Sequence, residues 1–204
     1  MLSQDLIEKT VSFHGHHCPG LTIGIRAGQW CLQELGSASD EEIVAIVETD
    51  MCGVDAIQFL TGCTFGKGNF VFQDYGKAAF SFFRRSDGKS ARLLLNRDLV
   101  ADLREKQNAL APDDEAGRRE IRQQMIERMM AAPFEEMFAI GRPQEEMPLM
   151  ARIHKSLPCF HCGEEVMETR LKRNKDQVWC IPCANRMQLN EKMTSMDCRT
   201  SGNE

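Results

Sequence analysis

Two C-x2-C pairs, Cys159-Phe-His-Cys162 and Cys180-Ile-Pro-Cys183, stand 17 residues apart in a 204-residue chain. A C-x-x-C pair curls its backbone so that two sulfurs converge, and a hairpin between two such pairs brings four thiolates around one ion. The spacing predicts a zinc ribbon with a closed tetrahedral shell formed by Cys159, Cys162, Cys180 and Cys183, and a structural rather than a catalytic zinc, since four cysteines leave no open position. Residues 165–172 and 177–180 are expected to be the hairpin arms and residues 173–176 the turn. Helical character over 184–192 places the second pair at a helix start, in the manner of a treble clef. His161 reads as an exposed knuckle residue. Arg170, Lys172, Arg173 and Lys175 give the hairpin a basic tip.

The cysteine count constrains the rest of the chain. Nine cysteines, an odd number, do not make a complete disulfide framework, and metal ligation is the better reading. They fall into an early group (Cys18, Cys31, Cys52, Cys63) and a late one, with none from 64 to 158. A net charge of −5 and a pI near 5.6 argue against a nucleic-acid partner. No run approaches a membrane span, and the start, MLSQDLIEKTVSF, lacks signal-peptide character. A cytoplasmic protein with reduced thiols is expected.

The early part reads as α+β. Pro19 suits a helix first turn, and Leu21, Ile25, Gly28, Leu32 and Leu35 mark one helical face ending near Gly36. Residues 39–42 read as a turn or helix start. Residues 43–49 (IVAIVET) read as a buried strand and 54–60 as a short helix. Strands over 69–73 and 77–85 are expected to join at a tight Tyr75-Gly76 turn, and Asp87-Gly88 leads into a strand over 91–95, giving an antiparallel sheet. Beyond Asn96 the chain turns helical. Ile121, Met125 and Met129 form an apolar stripe, a packing face rather than a cofactor site. The expected organisation is an α+β metal-binding domain with a helical extension over 1–132, a linker over 133–153, a zinc ribbon over 154–193 and a frayed tail over 194–204.

The densest chemistry is Phe13-His14-Gly15-His16-His17-Cys18-Pro19-Gly20: three imidazoles and a thiol within five residues. Alternate residues of an extended segment point together, which puts His16 and Cys18 on one side. Free N–H groups of the helix at Pro19 favour a Cys18 thiolate. This donor set suits zinc, nickel, iron or copper. Cys52 and Cys63 flank the short helix, roughly 15 Å apart at 1.5 Å per residue. Cys63 is favoured over Cys52 as the further ligand, and Cys31 reads as a buried core thiol. Gly66-Lys67-Gly68 lacks phosphate-loop spacing.

FHGHHCPGLTIGIRAG, then ETDMCGVDAIQFLTGCTFGKGNF, then DYGKAAFSF, resembles the FmdE family, which takes its name from formylmethanofuran dehydrogenase, over roughly residues 10 to 95. The resemblance implies an α+β domain, a bound metal near the histidine–cysteine motif, and homodimers. Its motif positions fall on His14, His16, Cys18, Cys52, Asp55 and Cys63. Three functions are compatible with it, in order of preference. The first is a metal-binding accessory protein of one-carbon or formate metabolism, partnering molybdenum or tungsten oxidoreductase subunits. The second is an enzyme using an open His16/Cys18/Cys63 metal site, with Asp50 or Asp55 as base or as orienter of a ligand. The third is a regulatory or nucleic-acid-binding zinc ribbon. No catalytic motif beyond that site decides between them.

Overall fold

The computed structural model describes residues 2–36, 40–174 and 176–187. The chain divides into two compact units, Met1–Ala151 and Arg152–Glu204.

In the first unit, α1 (Gln4–His14) starts on Ser3, whose hydroxyl accepts the Leu6 N–H, and ends on Gly15 in the left-handed region. Then α2 (Pro19–Glu34) begins with proline in its first turn, as the sequence predicts. It is buried all round from Leu21 to Cys31, because it is packed on two sides. Ile23, Ala27, Trp30 and Cys31 join the main core on the sheet, while Leu21 and Ile25 pack with Leu6, Ile7 and Val11 of α1. The one-faced amphipathic pattern therefore understates its burial.

Strand β1 (Ile43–Val47) is wholly buried. It leads to α3 (Gly53–Thr61), which stops at Gly62 in the left-handed region. Next come β2 (Phe70–Phe72), β3 (Ala79–Arg84) and β4 (Ser90–Leu95). Helices α4 (Ala101–Ala109), α5 (Glu115–Ala131) and α6 (Phe134–Met137) precede β5 (Phe138–Gly141). The strand order is β2-β1-β3-β4-β5.

The class is α+β, but the sheet is mixed. The expected 69–73/77–85 hairpin does not form: β1 lies between these strands, and β2 runs parallel to β1 with Ala45 opposite Phe70. The cause is the helix between β1 and β2. A crossover through α3 returns the chain in the original direction, which a two-residue turn cannot do. Asn69 pins the return loop: its buried side chain donates to Ile43 O (2.9 Å) and accepts from Thr64 N (3.1 Å). The other pairs, β1–β3, β3–β4 and β4–β5, are antiparallel.

Residues 138–141, expected in a linker, instead form the far edge strand of this sheet. The segment after it is also strapped to the first unit, with Arg85 donating to Pro148 O (2.8 Å) and Met147 packing on Val44, Ile46 and Phe83. Ile121, Met125 and Met129 are buried, as the stripe predicts. Arg26, inside α2, ties the end of α5: it donates to Gln29 Oε1 (2.6 Å) and to Ala132 O, and lies 4.3 Å over the Phe134 ring. Among the described residues no helix is long and apolar enough to cross a membrane.

In the second unit, β6 (Ser156–Pro158) pairs with β7 (Glu165–Met167), and β8 (Leu171–Asn174) pairs with β9 (Gln177–Cys180). A helix, α7, follows over residues 181–187. The expected arm 165–172 is thus divided at a 3₁₀ turn, Glu168–Arg170, because its first half pairs backward with the strand before Cys159. The expected helix beyond 187, the tail, Cys198 and Lys175 lie outside the described residues.

Candidate metal centres

The first centre is assembled by the crossing of α2 and α3. A Cβ placed on Gly24 would stand 2.0 Å from Gly53 O, and one on Gly53 would stand 2.9 Å from Gly20 O and Gly24 N. Only glycine allows backbones this close. The crossing lies at the first residue of α3 and within two turns of the start of α2, so it brings the residues that open them together. Those residues are cysteines: Cys18 precedes α2 and Cys52 precedes α3. The end of α1 and the loop after it supply His14 and His16. One ligand atom from each of His14, His16, Cys18 and Cys52 lies within 4.8 Å of the other three.

Four observations bear on what this group can hold. His14 Nδ1 lies 2.7 Å from Asp55 Oδ2. A carboxylate accepts, so Nδ1 carries a hydrogen, which leaves the Nε2 of the neutral ring with a free lone pair. That Nε2 is buried without a hydrogen-bond partner among the described residues. A buried ring nitrogen costs free energy unless something occupies its lone pair. Desolvation first, and the adjacent Cys18 second, push the Cys52 thiol pKa up, so a cation is needed for both sulfurs to ionise. Finally, Cys18 Sγ accepts the Leu21 N–H at 3.3 Å, the helix-start donor expected from sequence. The donors fit a transition metal with mixed nitrogen and sulfur preference.

The structure does not bring Cys63 to this group. It lies past the other end of α3, fully buried, its Sγ 3.3 Å from Ile43 O. Burial raises its pKa, and the same holds for Cys31. The preference for Cys63 over Cys52 therefore reverses. The nine-residue helix keeps the two thiols apart, and the chain does not fold back between them. His17 is not among the four donors; its Nε2 lies 3.1 Å from Thr22 Oγ1, and desolvation lowers its pKa. Asp50 is exposed on the rim of a cavity of about 300 Å³ that His14, Cys52 and Asp55 also line. Phe70 and Phe72 give this cavity an apolar wall.

The second centre is Cys159, Cys162, Cys180 and Cys183, whose sulfurs all lie within 4.8 Å of one another. Gly163 takes the left-handed conformation and donates to Cys159 O (2.9 Å), which closes the first knuckle. Cys180 ends β9 and Cys183 lies in α7, where its N–H donates to Cys180 Sγ (3.4 Å). Backbone N–H groups of Cys162 and then Cys180 pull the Cys159 pKa down to about 6, while hydrogen bonding with Cys180 pushes Cys183 up. The Cys159 thiolate is thus favoured, and a cation would offset the raised pKa values of Cys162 and Cys183. His161 is exposed and stacks on Trp179, ring centroids 5.7 Å apart.

Two features of the first centre had no sequence signal strong enough to single out. The crossing glycines looked like ordinary helix positions. Arg119 and Arg122, which line a cavity with His16, are in sequence two among many charged residues of the helix.

An α+β sheet domain carrying a histidine–cysteine donor group, followed by a four-cysteine module, is the class of protein defined so far. The family model described as "FmdE, Molybdenum formylmethanofuran dehydrogenase operon" matches residues 13–139, and the chain belongs to this FmdE family. It is 31% identical over 199 residues to a protein of Archaeoglobus fulgidus named a probable S-adenosyl-L-methionine-binding protein, covering 88% of this chain. The chain spans about half the length of that relative, 52%. Among solved structures it resembles a tungsten formylmethanofuran dehydrogenase FmdE-like protein from Syntrophus aciditrophicus, with a TM-score of 0.60 and 24% identity, covering 89% of this chain and 91% of that one. That likeness is one of fold.

Proposed function

We propose that this chain is a metal-binding accessory protein that works with a molybdenum or tungsten oxidoreductase of one-carbon metabolism. The first unit holds a divalent transition ion, zinc, nickel or iron, through His14, His16, Cys18 and Cys52. The second holds a structural zinc through its four cysteines. The observation that carries the reading is His14 Nε2, buried, unpartnered and fixed as a lone-pair donor by Asp55, beside two thiols and a second imidazole. Carboxylate–histidine pairs of this kind orient metal ligands and raise their basicity. The operon named in the family description supports the choice of partner. A reducing compartment, the cytoplasm, belongs to the reading, because both donor sets need unpaired thiols.

The protein is proposed to act as a homodimer. The Phe13 and Phe59 rings pack at a tilt, centroids 5.3 Å apart, while 57% and 36% exposed, an apolar surface that a second copy would cover. Light scattering that returns twice the 23.1 kDa of one chain supports this, and a monomer mass opposes it.

Cobalt substitution tests the first centre. In Cys159→Ala, which removes a ligand of the other centre, cobalt(II) is expected to give a near-ultraviolet thiolate charge-transfer band. The band should vanish in Cys18→Ala/Cys159→Ala. A spectrum without thiolate bands rejects the first centre. Affinity capture from the native host that recovers no component of such an oxidoreductase rejects the accessory role.

A second reading, a metal-dependent enzyme, rests on the cavity of about 300 Å³ that abuts the donor group. In it Asp50, on the rim, accepts a proton from a bound substrate while Asp55 holds His14.

A further inference from the structure

Helix α5 turns one face toward the loop that carries His16, His17 and Cys18. With that loop, Arg119, Arg122 and Gln123 enclose a cavity of about 370 Å³. Positions 119, 122 and 123 lie three and four residues apart, so their side chains share one face. Both guanidinium groups are exposed, and among the described residues neither makes a hydrogen bond or an ion pair. Acidic residues are not scarce, since the chain has 30 of them against 25 basic ones, yet none pairs with these two arginines among the described residues. The same pair also lines an adjoining space of about 570 Å³ with Glu115 and Arg118, where Arg118 donates through Nη2 to Ala111 O (3.4 Å). Two guanidinium groups, those of Arg119 and Arg122, thus stand beside the edge of the metal centre where His16 is exposed. Arginine forks match the planar oxygens of carboxylate and phosphate.

We propose that this arginine face of α5 binds a small oxyanion, a carboxylate or phosphate group carried by the molecule on which the neighbouring metal centre works. The inference rests on the second reading above, that of a metal-dependent enzyme. It assigns the substrate class as anionic, with Arg119 and Arg122 holding the charge and the reactive end directed toward His16 and Cys18.

The test is calorimetric titration of the full, metal-loaded chain into the millimolar range with inorganic phosphate and with acetate, acetamide serving as the uncharged control. Metal content is measured on every variant. Saturable binding of an anion but not of acetamide is expected. In Arg119→Gln/Arg122→Gln its dissociation constant should rise about tenfold or more with metal content unchanged, the effect of losing charged hydrogen bonds. The anion that binds more tightly identifies the source of the oxyanion. Binding that persists in Cys18→Ala after the metal is lost supports the arginine site even where the metal reading fails. Absence of saturable binding by either anion, or equal binding by the double arginine variant, overturns the proposal.

Discussion

Gly24 and Gly53 touch backbone to backbone, and this contact sets the distance between the Cys18 and Cys52 thiols. Gly24→Ala would drive a methyl group to 2.0 Å from Gly53 O, where no side chain can yield. The helices must separate, at a cost of about 3 kcal/mol, the upper range for overpacking. Loss of metal from the first centre should accompany the drop in melting temperature. A variant with unchanged stability would show that the two backbones are not in contact.

Asp55 is hydrogen-bonded to His14 and stands outside the four-donor group. Asp55→Asn keeps the shape but can present N–H where a carboxylate oxygen was. Metal affinity of the first centre should fall roughly 10- to 100-fold, as is usual for such partners, with the four-cysteine centre unaffected. Competition with a chelating dye reads both centres in one titration.

Glu48 and Arg92 form a nearly buried pair, Oε1 to Nε 2.6 Å and Oε2 to Nη2 2.9 Å, linking β1 and β4 across β3. Arg92→Met leaves a buried carboxylate unpaired and should cost about 3–5 kcal/mol in denaturant unfolding. Glu48→Met/Arg92→Met should recover most of that loss, because the desolvation cost leaves with the charges. A double variant as unstable as the single one would mean that the pair's geometry, not its compensation, is what matters.

Asp87 caps the β3–β4 turn. Hydrogen bonds from Arg84, and then from the Lys89 backbone, hold its pKa down at about 2 against the usual 3.8. A carboxylate depressed in the folded state stabilises above its unfolded pKa, and that stability is lost as pH falls through the folded one. The stability gap between wild type and Asp87→Asn should therefore be constant above about pH 4 and close toward pH 2. Because the pair is exposed, the gap is small. A gap that widens on acidification contradicts this sign.

Much of the architecture was legible because local signals and tertiary demands agreed. Pro19 opened a helix, IVAIV made a buried strand, and the late cysteines declared their convergence through spacing alone. What was not legible depended on contacts distant in sequence. Cys52 and Cys63 look equivalent beside a short helix. Only the α2–α3 crossing decides which of them meets Cys18, and it depends on glycines that carry no chemical signature. The direction of β2 was hidden for a similar reason: Tyr75-Gly76 reads as a turn, but the chain there bonds to the end of β1, Gln73 N–H to Val47 O and Lys77 N–H to Glu48 O, and β1 fills the neighbouring place in the sheet. Strand β5 is short and follows a four-residue helix, so nothing but its pairing with Leu93 and Leu94 identifies it.

Two separate donor groups, each trapping its own ion, are the centre of this account. Metal analysis of the purified wild type beside Cys18→Ala and Cys159→Ala tests that most directly. About two ions per chain are expected in the wild type and about one in each variant, the survivor in Cys159→Ala being held by His14, His16 and the two N-terminal thiols. A wild type with a single ion, lost in Cys159→Ala and untouched in Cys18→Ala, would contradict it.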